Sequence, residues 1–323
     1  MSILVYTENW DGKFKKLSFE LICFANGLAK KMNTQVVALS LGNVAEEELK
    51  KLSAYGADKI ISVTDARLNV LEAKPFASII SQVAQKEGAE VLVFSHNPTG
   101  KAIAPRVAAR LKAGIVSAAV AIPESINPFT VSKKVFSGKS FVKVVIKSAI
   151  KIVTLSQNSI DISEENKSAA IETFSPQLND ADFVSKVVDS HKVTGKILLS
   201  DAEIVVSGGR GMKAAENWKP LEELAEVLGA ATACSRPVSD EDWRPHEEHV
   251  GQTGKIIAPN LYIALGISGA IQHIAGVSSS KVMVAINTDK DAPIFETANY
   301  GIVGDVHKIL PKLIEAFKEA KKH

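Results

Sequence analysis

Through the first part of the chain, short apolar runs alternate with longer stretches in which apolar positions recur every three or four residues. Ile3–Tyr6, Gln35–Leu39, Lys59–Val63 and Val91–Phe94 read as strands. Phe19–Lys31, Ala45–Tyr55, Pro75–Gly88 and about Lys101–Leu111 read as helices; in the first, Leu21, Ile22, Phe24, Ala25 and Leu28 fall on one side. Strands alternating with helices imply parallel pairing and a sheet covered on its faces. Thr130–Leu155 breaks the rhythm. It is rich in Val, Ile, Phe and Lys without a long helical pattern, and reads as two or three strands, in part antiparallel, completing the first sheet.

From Ser156 to about Lys196 the pattern turns polar and irregular, with edge-strand pairing expected at Ala170–Phe174 and Phe183–Val188. The α/β alternation then restarts. Strands are expected at Ala202–Val206, Ala230–Ala233, Leu261–Leu265 and Lys281–Ile286, and helices at Leu221–Leu228 and from Ala270. Ile302–Val303 leads to Asp305 and a last helix, whose first turn is expected to hold Pro311, because an interior proline removes a hydrogen bond. The fold class expected is α/β in two domains, residues 1–193 and 194–323 with the boundary near Thr194, the second a doubly wound parallel sheet.

Length and composition agree with two cored domains: 323 residues, 46% apolar. A net charge of +2 argues against a dedicated nucleic-acid binder. No apolar run reaches membrane-spanning length, so no membrane insertion is expected. Two distant cysteines, Cys23 and Cys234, and an opening Ser2–Tyr6 strand without a targeting pattern lead to a cytoplasmic assignment.

The candidate chemistry gathers at strand ends of the second domain, where open parallel sheets bind ligands. In Ser207-Gly208-Gly209-Arg210-Gly211 the three glycines are expected to supply positive φ and expose N–H groups, with Arg210 as an anion fork; the same stretch also reads as a tight turn with a solvated arginine. Ser235-Arg236 could hold an anion or face an electron-rich ring, or be a surface ion pair. Val250-Gly251-Gln252-Thr253-Gly254 brings backbone close to something flat or tightly packed, or is a plain turn. Ser268 and Gly269 stand where a strand feeds a helix, a seat for an anion, with Gln272 and His273 one turn in; such a histidine is as well explained by burial. Asn287 and Asp305 end later strands, Asp305 also serving as a helix cap. His246-Glu247-Glu248-His249 lacks the spacing of a helical zinc motif, and no metal is expected.

Three stretches, "VGQTGKIIAPNLYIALGISGAIQHIAGV", "VAINTDKDAPIFETANYGIVGDV" and "SGGRGMK", closely resemble the electron-transfer flavoprotein alpha subunit, and "APRVAARLKAGIVSAAV" in the first domain resembles it more loosely. The resemblance spans nearly the whole chain. It implies FAD in the second domain, a heterodimer with a beta subunit, electrons accepted from flavin dehydrogenases such as acyl-CoA dehydrogenases, delivery to a quinone oxidoreductase or other acceptor, and no substrate turnover of its own. It carries FAD contacts onto Arg210, Ser235, Arg236, Val250, Gly251, Gln252, Thr253, Ser268, Gly269, Ala270, Ile271, Gln272, His273, Asn287, Asp305 and Val306, with His273 near the pyrimidine edge of the flavin. Pro237, directly after Arg236, and the composition of Trp243–His249 depart from the family pattern. Two other readings compete: an NAD-dependent dehydrogenase, which lacks a G-x-G-x-x-G fingerprint here, and a non-redox nucleotide-binding regulatory protein.

Overall fold

The computed structural model describes residues 1–68, 70–136, 138, 140–185, 187–189 and 197–322. The chain divides into two compact units, 1–190 and 191–323. The boundary expected near Thr194 lies outside the described residues.

The first unit is built on a mixed sheet. Its strands are β1 (Ser2–Tyr6), β4 (Gln35–Leu41), β5 (Lys59–Val63), β6 (Ala89–Ser95), β7 (Gly114–Ala119), β9 (Phe129–Val135), β10 (Ser140–Val145), β11 (Lys151–Leu155) and β12 (Ala170–Thr173). The short β2 (Asn9–Trp10) and β3 (Lys13–Phe14) pair with each other, and β8 (Ser125–Ile126) pairs with β9. The order across the sheet is β10-β9-β7-β11-β6-β1-β4-β5-β12. The central strands are buried on both faces, which is why their sequences run apolar without alternation. Ile3, Val5, Val36, Val91 and Val93 pack with α1 (Lys16–Met32); Leu4, Tyr6, Val37, Leu92 and Phe94 pack with α3 (Ala73–Lys86) and α4 (Pro98–Leu111). The helix α2 (Glu46–Ala54) follows β4. Of the expected strands in 130–155, β9 and β10 are antiparallel, whereas β11 inserts parallel between β6 and β7. β12 adds parallel to the edge strand β5. The described residues of 183–188 form no strand, so the second expected edge pairing is not made.

The second unit is a five-stranded, all-parallel sheet of β13 (Ile204–Gly208), β14 (Ala231–Cys234), β15 (Leu261–Leu265), β16 (Val282–Asn287) and β17 (Tyr300–Val303), ordered β14-β13-β15-β16-β17. Strand succession reverses between β13 and β15, the switch point of a doubly wound sheet. One face packs α5 (Lys219–Leu228) and α9 (Val306–Ala320) through Trp218, Leu221, Leu224, Leu310 and Ile314; the other packs α7 (Ile271–Val277) and α8 (Ile294–Thr297) through Ile267, Val277 and Ile294. α5 stops at Gly229, left-handed with φ 65°. Pro311 is not in the first turn of α9. The Asp305 carboxylate accepts from the His307 N–H at 3.0 Å and starts the helix at Val306, so the proline falls one turn further in. The helix survives the lost backbone bond because Leu310 and Ile314 anchor it to the core.

Candidate functional site

The C-terminal ends of the five parallel strands carry the loops that sequence reasoning singled out, and backbone hydrogen bonds stitch these loops together. Gly209 N donates to Leu265 O (2.9 Å), Gly211 N to Gly266 O (3.0 Å) and Ser235 N to Gly208 O (3.0 Å). Gly266 N donates to Ile286 O (2.9 Å), and the Asn287 side chain donates to Ile267 O (2.9 Å). The 250–255 loop follows no strand directly, yet Val250 N donates to Cys234 O (3.0 Å) and Gln252 N to Gln272 O (2.7 Å), which sets it between the end of β14 and α7.

The glycines of the first loop work differently from the expectation. Gly208, Gly209 and Gly211 do not have positive φ. They permit close approach: a Cβ on Gly209 would lie 2.3 Å from Gly266 O, and one on Gly211 2.6 Å from Gly266 Cα. The left-handed positions are Gly266 (φ 62°) and Gly269 (φ 84°), in the turn after β15. Pro237 disturbs nothing. It is the second residue of the short helix α6 (Arg236–Asp240), where a missing N–H leaves no bond unmade.

The candidate residues separate by exposure. Arg210, Arg236, Gln252, Thr253, Ser268, Ala270, Ile271 and Gln272 are exposed along this edge; Asn287 and Asp305 are half-buried; Ser235, Val250, Gly251, Gly269, His273 and Val306 are buried. Arg236 Nε lies 3.3 Å from the Asp240 carboxylate, with both side chains largely in solvent. Asp305, besides capping α9, lies 3.8 Å from Lys213, and the His307 N–H holds its pKa below the ordinary value.

His273 points inward. Its Nε2 is 2.7 Å from the Tyr262 hydroxyl, and its Nδ1 has no hydrogen-bond partner. Burial first, and nearby His249 second, push its pKa down to about 4, so the ring is neutral at pH 7. His249 is also buried, with an unpartnered Nδ1; burial and then His246 lower its pKa, with Asp240 opposing. Burial raises the Cys234 thiol to about 12, which makes it a packing residue and not a nucleophile. In the 243–249 segment Arg244 grips Glu248 with two bonds of 2.8 Å, reaches Glu222 at 2.7 Å and lies over the Trp218 ring. Among the described residues no group of His, Cys, Asp and Glu is arranged to hold a metal. Sequence reasoning passed over Tyr262, Arg244 and Gly276, and considered His249 only as a metal ligand. Tyr262 is the sole aromatic in an otherwise aliphatic strand, the signal that could have marked it.

This edge is chemically suited to an extended anionic dinucleotide. It offers two exposed guanidinium groups, hydroxyls at Ser268 and Thr253, an amide at Gln272, a carboxylate at Asp305, and backbone that approaches closely because glycines line it. A doubly wound sheet with such an edge at its switch point defines a nucleotide-cofactor-binding protein. Residues 198–278 match the electron transfer flavoprotein FAD-binding domain and residues 3–179 the electron transfer flavoprotein domain. The chain is 38% identical to the electron transfer flavoprotein subunit alpha of Bacillus subtilis, across 99% of this chain and 98% of that one. It is 34% identical to that of Syntrophomonas wolfei, across 98% of each chain, and 32% identical to the mitochondrial subunit of Arabidopsis thaliana, across 99% and 91%. The chain belongs to the electron transfer flavoprotein alpha-subunit family, and its cofactor is FAD. Among the described residues no helix is long and apolar enough to cross a membrane.

Proposed function

We propose that this chain is the FAD-carrying half of a heterodimer with an electron transfer flavoprotein beta subunit, that it works in the cytoplasm, and that it takes electrons from flavin dehydrogenases, acyl-CoA dehydrogenases among them, and hands them to a quinone-linked or other redox acceptor without turning over a substrate itself. The observation that carries this reading is the convergence of six sequence-distant stretches on one edge of the parallel sheet. A relative 33% identical, from Anaerotignum propionicum, bears the name acryloyl-CoA reductase electron transfer subunit beta, which supports acyl-CoA redox chemistry as the setting.

FAD supplies the redox chemistry; the chain binds, orients and tunes it. Arg210, Ser235 and Ser268 hold the diphosphate or ribityl chain. Asn287, Asp305 and Val306 take the adenosine end. Arg236, the Val250–Thr253 loop and the Gly269–His273 turn face the ring system. Arg236 is a permanent positive charge there, whereas His273, being neutral, contributes a hydrogen bond. The test is co-expression with a beta subunit. A yellow complex holding FAD in the alpha chain, reduced by an acyl-CoA dehydrogenase with its substrate, is expected. In Arg210→Ala, loss of a charge-assisted bond weakens FAD binding roughly 10- to 150-fold; unchanged FAD affinity removes Arg210 from the site, and a colourless complex overturns the function.

A further inference from the structure

We infer that Tyr262 is a positioning residue that holds His273 in the tautomer with its proton on Nδ1, so that the chain presents a neutral hydrogen-bond donor, and not a cation, beside the 250–255 loop. The inference deepens the function proposed above and rests on it wherever the flavin enters.

Tyr262 stands on β15 and His273 on α7, both buried, with Oη and Nε2 2.7 Å apart. Ser207 lies beside the phenol, and its hydroxyl, otherwise without a partner, can turn to the Tyr262 oxygen as donor or acceptor. Two proton arrangements fit the contact. If the hydroxyl donates to Nε2, the ring proton must sit on Nδ1, and that one donor is left without a partner. If Nε2–H donates to the hydroxyl, the phenol proton turns to Ser207 and Nδ1 is left bare. The Val250 backbone favours a proton on the ring, and with Nε2 accepting from Tyr262 that proton falls on Nδ1, so the first arrangement is selected. Burial raises the Tyr262 pKa, so the phenol keeps the proton it donates.

The surroundings discourage a second proton on the ring. A Cβ on Gly251 would lie 3.5 Å from His249 Nε2 and 3.7 Å from His273 Cα, so the two histidines flank the same glycine. Positive charge on His249 opposes charge on His273, while the Val250 backbone favours a ring proton. The net result is a donor fixed in tautomer and in ring plane, next to the loop that carries Thr253. The tautomer of a histidine is set by the bond its other nitrogen makes, and here that bond comes from Tyr262.

The test is nitrogen NMR of the FAD-loaded heterodimer labelled in histidine, with His273→Gln used to assign the resonances. In the wild type, Nε2 of His273 is expected bare and Nδ1 protonated, without change from about pH 8 to about pH 5.5. Tyr262→Phe keeps the ring packing and removes the donor; the Nδ1–H preference is expected to fall about fivefold, the worth of one neutral hydrogen bond, and the flavin potential to move with it. A wild-type His273 protonated on Nε2 overturns the inference, and that measurement stands even if Tyr262→Phe does not fold. Nitrogen shifts and potential both unmoved in a folded Tyr262→Phe also overturn it. The tautomer is readable with or without flavin. A protein that takes up no FAD sinks the proposed function alone, and one that takes up FAD with Nε2 protonated sinks this inference alone.

Discussion

Gly276 on α7 lies against Gly251 in the 250–255 loop: a Cβ at 276 would come within 2.5 Å of Gly251 Cα and 2.7 Å of its nitrogen. The obstacle is backbone, which no side-chain rotation relieves. Gly276→Ala is expected to push the loop away from α7, break the Gln252 N to Gln272 O bond, and cost about 1–3 kcal/mol of stability. Gly229→Ala is the control, since its Cβ would meet nothing within 4 Å and its cost is only the strain of φ 65°, about 1 kcal/mol. Urea midpoints and FAD retention after desalting report both. Equal retention in the two variants would show that the contact does not support the cofactor loop.

Arg244 ties the segment before that loop to the unit. Its partner Glu248 is 7% exposed, so Arg244→Ala strands a carboxylate away from water and also uncovers Trp218. A loss of about 2–4 kcal/mol is expected. Removal of the exposed partner in Glu222→Ala is expected to cost under about 1 kcal/mol. Chemical denaturation of both variants, read as a ratio, decides whether the buried or the surface half of the pair carries the energy.

Acid should weaken the second unit before it protonates most carboxylates. His273 titrates near 4 when folded and near 6.5 when unfolded. The unfolded chain therefore binds a proton that the folded one refuses. Stability is complete above about pH 6.5 and declines as pH falls toward 4, by about 3 kcal/mol in full. His249 adds a loss of the same sign. His273→Gln is expected to flatten the fall in urea midpoint between about pH 7 and about pH 4.5. A slope equal to that of the wild type would show that His273 takes up its proton while still folded.

Arg236→Ala, with FAD still bound in the heterodimer, is expected to lower the potential for adding the first electron by roughly 40–130 mV, the equivalent of about 1–3 kcal/mol for one charge-assisted bond. A guanidinium does not titrate away, so the effect should be the same from about pH 6 to about pH 9. Spectroelectrochemical titration measures it. An unchanged potential leaves Arg236 as a binding or surface residue, consistent with its exposed pairing to Asp240.

The sequence exposed the architecture wherever burial left a periodic trace. The predominantly apolar β1, β4 and β6 and the capped α5 and α9 declared themselves because packing dictates their composition. β7 was missed: Gly114–Ala119 is short, half-buried and rich in small residues, and follows a helix after only two residues. Pro311 misled because local propensity yields to an anchored apolar face. At the site, residue types were legible and their directions were not. His273 lies near the start of α7, in its first turn and not one turn in, and which way its ring points depends on Tyr262, a contact across two elements that no local spacing encodes. The glycines after β13 were visible; that they serve contact with Gly266, and not chain reversal, emerges only from the pairing of β13 with β15.

The stitching of the cofactor edge has a consequence for how the protein is assembled. Its loops come from six separate stretches, and no fragment short of the complete sheet brings them together. FAD seated on that edge, as proposed, would bind the finished unit and not its parts, so by mass action the cofactor would raise the stability of every strand at once. Flavin supply and folding yield thereby become one variable. A lesion as remote as the buried side of α9 would first be seen as a paler protein.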